Sequence, residues 1–140
     1  MTANNSRMLF VNLPVRDPKR SMDFFTRLGF KFNPQFTTAE AACMIIGADA
    51  YAMLLREDFF STFAKKPVPD ATRVTGGLYA VMVSSRDEVD RMVHEALAAG
   101  GSPAADKMDQ GPMYGWSFYD PDGHHWEVGW MDPTVVQPVG

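Results

Sequence analysis

The chain has 140 residues, 46% of them hydrophobic, and a formal net charge of −4. That length suits one domain or two small modules sharing a core, and the apolar content excludes a wholly disordered chain. An acidic balance with no run of Lys and Arg argues against nucleic acid or an anionic membrane as partner, and leaves a small molecule as the expected one.

Residues 8 to 15, MLFVNLPV, alternate as a strand, with Leu9, Val11, Leu13 and Val15 on one face, Phe10 and Asn12 on the other, and both faces covered. Asp17 is placed to cap a following helix, Pro18 suits its first turn, and Gly29 ends it. Met22, Phe25 and Leu28 supply its apolar stripe. Three short β-like runs follow at 30 to 36, 41 to 47 and 51 to 56. Segment 57–75 begins with Phe59, Phe60 and Phe63 at helical spacing and continues as a Pro- and Gly-rich linker. The order then repeats. Residues 77 to 83 form a strand, Ser85-Arg86-Asp87-Glu88 has capping-box spacing, and Val89, Met92, Val93, Ala96 and Leu97 share one helical face that stops at Gly100 or Gly101. A weak strand near 103 to 107 precedes the hairpin MYGWSFY into HHWEVGW, turned through Asp120-Pro121-Asp122-Gly123. The fold class is therefore α+β, with paired βαβββ modules at about 8–56 and 76–132 joined by 57–75.

Cys43 is the only cysteine, so one chain can build neither a disulfide nor a cysteine-based zinc centre. No apolar run approaches the roughly 20 residues that cross a bilayer, and MTANNSR carries no signal-peptide apolar region. A cytoplasmic protein without membrane association is expected. The stretch YDPDGHHWEVGW gathers His124, His125 and Glu127 beside a turn, which raises the question of a metal. A catalytic ion needs about three ligands converging from separate elements. His124 reads as a turn-end residue with its ring in solvent, and His94 as a surface residue of the second helix. Trp126, Val128 and Trp130 alternate with Glu127 and should pack on the helix layer.

Val15-Arg16-Asp17 leading into Ser21-Met22-Asp23-Phe24-Phe25, and Asp120-Pro121-Asp122-Gly123 shortly before Glu127, resemble in order and spacing the vicinal oxygen chelate superfamily. That superfamily includes glyoxalase I, extradiol dioxygenases, bleomycin-binding proteins and fosfomycin-resistance enzymes. The wording FVNLPV, NPQFT, AACMII, MYGWSF and WEVGWMDP is further similar to a bacterial subgroup described as predicted lactoylglutathione lyase. The resemblance implies a single glyoxalase-like domain in which two modules curl mixed sheets around a shared cleft, and a homodimer. Metal-binding members take one ligand from the first and last strand of each half, and by resemblance those positions fall on Phe10, Leu54, Leu78 and Glu127. Phenyl and isobutyl groups have no lone pair for a cation, so no divalent metal and no other cofactor is expected. Asn12 and His125 share the faces of Phe10 and Glu127, but an amide is a poor ligand for first-row metals and His125 and Glu127 are neighbours on one strand.

The candidate ligand-binding residues are Phe10, Asn12, Leu54, Leu78, Tyr114, Trp116, His125 and Glu127, with Glu127 the candidate catalytic group. A carboxylate on an inward apolar face must be paired, hydrated or protonated. Asn12, His125, Arg56 or water would satisfy it structurally; otherwise it would exchange a proton with a bound ligand. The main expectation is a metal-independent binder of a small apolar or aromatic molecule in the inter-module cleft. The alternatives are a glyoxalase-type lyase or isomerase using Glu127, with an improvised metal or none, and an interaction protein whose cleft is filled by Phe10, Leu54 and Leu78.

Overall fold

Strand β1 (Leu9–Val15) opens the first of two units into which the chain divides between Val68 and Pro69, in a computed structural model that describes residues 6–135. Helix α1 (Pro18–Arg27) starts where the Asp17 carboxylate accepts from the Lys19 N–H at 3.0 Å and Pro18 takes the first turn. It stops at Gly29, whose φ of 106° is open to a residue without a Cβ. The stripe it buries is Ser21, Phe24, Phe25 and Leu28, with Met22 only half-buried. These side chains pack on β3 (Ala41–Gly47) and β4 (Ala50–Arg56), and each large one contributes about 1.5–3 kcal/mol relative to exposure.

The first sheet runs β1-β4-β3-β2, with β1 parallel to β4 and the other pairs antiparallel. The run at 30 to 36 is not one strand. Only Lys31–Phe32 pairs as β2, after which the Asn33 side chain accepts from the Gln35 N–H at 2.9 Å and the chain winds into a 3-10 turn, Pro34–Phe36. Asn-Pro is the cause, because proline fixes φ and removes a ladder donor. Helix α2 (Glu57–Ser61) follows β4 directly. The expectation that both faces of β1 are covered fails as well, since Leu9 and Phe10 are 61% and 41% exposed.

The second unit repeats the order with β5 (Leu78–Met82) and helix α3 (Arg86–Ala98), capped by Ser85 Oγ accepting from the Glu88 N–H at 3.1 Å. The weak signal near 103 to 107 resolves into two short strands on either side of it, β6 (Ser102–Pro103) and β7 (Met108–Asp109). Both pair with β8 (Met113–Tyr119), which pairs in turn with β9 (His125–Met131), giving the order β5-β9-β8-β6. Val89, Met92, Val93 and Ala96 of α3 are buried, and the helix packs on β8 and β9. No helix among the described residues is long and apolar enough to cross a membrane.

The turn between β8 and β9 is organised by Asp120, which is 4% exposed. Its Oδ1 accepts from the N–H of Asp122 at 2.9 Å and of His124 at 3.0 Å, and its Oδ2 accepts from Trp126 Nε1 at 2.9 Å. Burial pushes the Asp120 carboxyl above its usual range, while His124 and the Trp126 N–H pull the other way. The Gly123 N–H donates to the Asp120 carbonyl at 2.9 Å, closing the turn. His124 is not in solvent; its ring is buried near Tyr79, at a centroid distance of 6.4 Å, because the turn folds back over the sheet.

Gly123 has φ 93°, and a Cβ there would meet the Ala71 carbonyl oxygen at 2.6 Å. Gly123→Ala is therefore expected to destabilise the fold by about 2 kcal/mol or more. Gly47→Ala, at a site with nothing within 4 Å, should stay within about 0.5 kcal/mol of the parent by chemical denaturation. Equal midpoints for the two variants would contradict this account of the turn.

Candidate functional site

Each sheet has one face sealed by its helix and one that is not, and strand alternation decides which side chains stand on the unsealed face. In the first unit the ladder sets Phe10 beside Tyr51, Asn12 beside Met53 and Leu13 beside Leu54. Leu13 and Leu54, at 3% and 0% exposure, lie under α1. The unsealed face therefore carries Phe10, Asn12, Tyr51 and Met53, with Phe10 and Tyr51 stacked at 4.6 Å. Leu54 does not share a face with Phe10, which corrects the expected site. Counting back five residues from the caps Asp17 and Ser85 reaches Asn12 and Ala80, whose ladder partners are Met53 and Glu127. Met53, not Leu54, is thus the first-unit counterpart of Glu127.

In the second unit Leu78 stands beside His125 and Ala80 beside Glu127, and Ser117 lies opposite Glu127 across β8. Tyr114 and Trp116 oppose Trp130 and Val128 and so sit on the other face, under α3. Tyr114 Oη donates to Asp90 Oδ1 at 2.5 Å, and Trp116 packs its ring against His94 at 5.0 Å with Lys107 Nζ 4.5 Å above it. Neither aromatic joins Glu127; both are held in the helix-side network. That network extends to Arg86, which stacks over Tyr114 and grips Asp109 with two bonds of 2.9 Å.

Glu127 is not buried: its side chain is 43% exposed, and its Oε2 lies 2.7 Å from His125 Nε2. The contact is an ion pair when the imidazole is protonated and a hydrogen bond when it is neutral. Of the partners expected for Glu127, His125 is the one observed, whereas Arg56 binds Asp58 and Glu40 instead. Tyr119, which sequence reasoning missed, stands opposite His125 with its ring edge-on at 5.5 Å. The surrounding floor is small, with Ala80, Ser117, Gly115 and Gly129, and the Met82 thioether lies where a Cβ on Gly129 would come.

The donor set does not fit a resident metal centre of the glyoxalase kind. The four corresponding positions hold Phe10, Met53, Leu78 and Glu127, of which only one is a hard ligand. Among the described residues no group of three or more His, Cys, Asp or Glu is placed to hold an ion.

A cavity of about 380 Å³ opens on the unsealed face of the first unit, lined by Asn12, Leu55, Phe60, Phe63 and Ala64. It forms because α2 and the turn after it lay their aromatic side chains across β1 and β4. Phe59 and Phe63 pack edge to face at 5.1 Å, with Phe63 otherwise 71% exposed. Asn12 Nδ2 donates to the Phe10 carbonyl at 3.3 Å, which leaves Oδ1 as an acceptor on a residue of the lining. Asn12 is thus the predicted site residue that the cavity includes. Leu55, Phe60 and Phe63 were not foreseen, although the Phe spacing after β4 was visible.

A family model described as Glyoxalase/Bleomycin resistance protein/Dioxygenase superfamily matches residues 7–128. A hypothetical protein from S. aureus is 27% identical with a TM-score of 0.75, over 92% of this chain and 95% of that one. A glyoxalase-related enzyme from Fulvimarina pelagi shares the fold at a TM-score of 0.76 and 20% identity, over 96% and 92% of the two chains. A glyoxalase/bleomycin resistance protein/dioxygenase family enzyme from Burkholderia phytofirmans PsJN does so at 0.73 and 15%, over 90% and 99%. No curated protein matches the chain.

The Arg86 grip gives the helix-side network a measurable signature. Hydrogen bonds from Arg86, and then from the Gly111 N–H, hold the Asp109 carboxyl down at about 2. Since the folded value lies below the ordinary one of about 3.9, the pair's stabilisation is present above that ordinary value and lost as pH falls toward 2. A carbon-detected pH titration should place the Asp109 midpoint near 2 and move it up toward about 4 in Arg86→Gln. An unmoved midpoint would refute the assignment.

Proposed function

Because the chain belongs to the Glyoxalase/Bleomycin resistance protein/Dioxygenase superfamily, whose members share a scaffold but not one chemistry, we propose that it binds a small apolar or aromatic molecule carrying one hydrogen-bond donor, without a resident metal. The observation that carries this reading is the cavity of about 380 Å³ with Leu55, Phe60 and Phe63 as walls and Asn12 as its amide. Its volume falls in the range of roughly 300–1,000 Å³ usual for small-molecule sites. The apolar walls supply affinity at about 0.8 kcal/mol per methylene-sized group removed from water. The Asn12 carbonyl selects orientation, since a hydrogen bond contributes only about 1 kcal/mol net.

A second reading is favoured by a separate observation, the contact of 2.7 Å between His125 and Glu127. An exposed carboxylate held by an imidazole suits proton exchange at a carbon beside a carbonyl, as in a glyoxalase-type isomerisation of a glutathione hemithioacetal. If such turnover is present, Glu127→Gln should lower it by about 100-fold or more while leaving the melting temperature unchanged.

N-phenyl-1-naphthylamine, a neutral aromatic with one N–H, tests the binding reading. Its fluorescence should rise saturably on titration with protein, with or without a chelator. Asn12→Leu should weaken binding by about fivefold, and Ala64→Trp, which fills the cavity from an exposed position, should abolish it. Absence of saturable enhancement, or variants that bind like the parent, would exclude the reading.

A further inference from the structure

The second unit contains a different concavity, far more polar in its lining. It measures about 310 Å³ and lies between the segment 71–75 and the turn 120–123, with Gly100, Ser102 and Tyr119 completing its wall. The close approach of Gly123 to Ala71 fixes one edge, and the buried Asp120 network holds the other.

Four polar side chains of the lining, Arg73, Thr75, Ser102 and Tyr119, make no hydrogen bond or ion pair with any other described residue. Thr72 differs, because its hydroxyl donates to Asp70 Oδ1 at 2.6 Å. Arg73 is the one cation of the lining, and a guanidinium presents a planar fork of donors that matches an oxyanion. Asp120 is the one acid of the lining, and both of its oxygens are engaged, accepting bonds from the turn amides and Trp126. In the last turn of α3, before Gly100, the carbonyls of Glu95 and Ala96 are occupied: both accept from Ala99, and Ala96 also from Gly101. The side-chain groups of the lining left without a partner among the described residues are one guanidinium and three hydroxyls.

We propose that this concavity binds the oxyanion of a small organic acid, a carboxylate or a phosphate monoester, with Arg73 gripping the anion and Thr75, Ser102 and Tyr119 taking its remaining oxygens. The site does not depend on the apolar cavity of the first unit, and the two proposals stand or fall separately. Tyr119 connects it to the His125–Glu127 pair, because the same ring lines the concavity and lies edge-on to His125.

The test is amide chemical-shift titration of the full chain, at constant ionic strength, with succinate in one arm, glycerol 3-phosphate in another and uncharged glycerol as control. At least one acid should give saturable shifts confined to residues 71–75, 100–102 and 119–123, and the arm that does so assigns the anion. Arg73→Gln should loosen that binding at least tenfold, and Tyr119→Phe, which keeps the ring and removes the hydroxyl, should loosen it severalfold. Arg73→Gln should leave the melting temperature and N-phenyl-1-naphthylamine binding unchanged, since the side chain is exposed and outside the first unit. The proposal is overturned if neither acid saturates, if glycerol shifts the same amides equally, or if Arg73→Gln binds like the parent.

Discussion

A strand sends successive side chains to opposite sides, and one helix can cover only one of them; this constraint governs both units. In the first, α1 covers Leu13, Ala52, Leu54, Ala42 and Met44, and in the second, α3 covers Phe118, Trp126 and Val128. The uncovered faces hold what remains: Phe10, Asn12 and Met53 in one unit, Leu78, His125 and Glu127 in the other. A slip of one residue in the β8–β9 ladder would turn Glu127 under α3, where an ionised carboxylate is costly, and expose Trp126 to water. The register is therefore protected by the same energetics that keep Glu127 accessible. The turn enforces it, because Trp126 Nε1 reaches Asp120 only in this pairing.

Much of this was legible in the chain because the signals are local. Asp17 and Ser85 mark their helices by short-range capping bonds, and the strand-helix order of both halves follows from periodicity and glycine positions. The failures are of a different kind. Leu54 was misplaced because β1 and β4 are parallel and separated by α1, β2 and β3, so no count along the chain fixes their offset. Tyr114 and Trp116 are different, since β8 and β9 are joined by one short turn. The Tyr119–His125 pairing puts the odd-numbered residues of both strands together, and applying that parity would have excluded both aromatics and admitted Tyr119. The run at 30 to 36 failed through Asn33-Pro34, whose turn chemistry outweighs the β propensity of its phenylalanines.

The position of α2 could not be read at all. Phe59, Phe60 and Phe63 have helical spacing, yet only the tertiary arrangement shows Phe60 and Phe63 lining one cavity with Asn12 and Leu55, with Phe63 still 71% exposed. This arrangement gives the first unit an apolar cavity with a single amide, and the second a histidine-supported carboxylate among small side chains. Among the described residues, no three His, Cys, Asp or Glu side chains converge as a divalent ion needs. On the reading proposed above, shape, apolar contact and single polar groups are the means of recognition and no resident metal takes part; membership of the superfamily does not by itself assign a chemistry.

Elemental analysis of the chain, purified without metal affinity steps from cells supplied with zinc, nickel, cobalt and manganese, bears most directly on that conclusion. The account predicts transition metal far below one ion per chain and none that survives dialysis. One tightly held ion per chain, lost together with ligand binding on chelation, would contradict it.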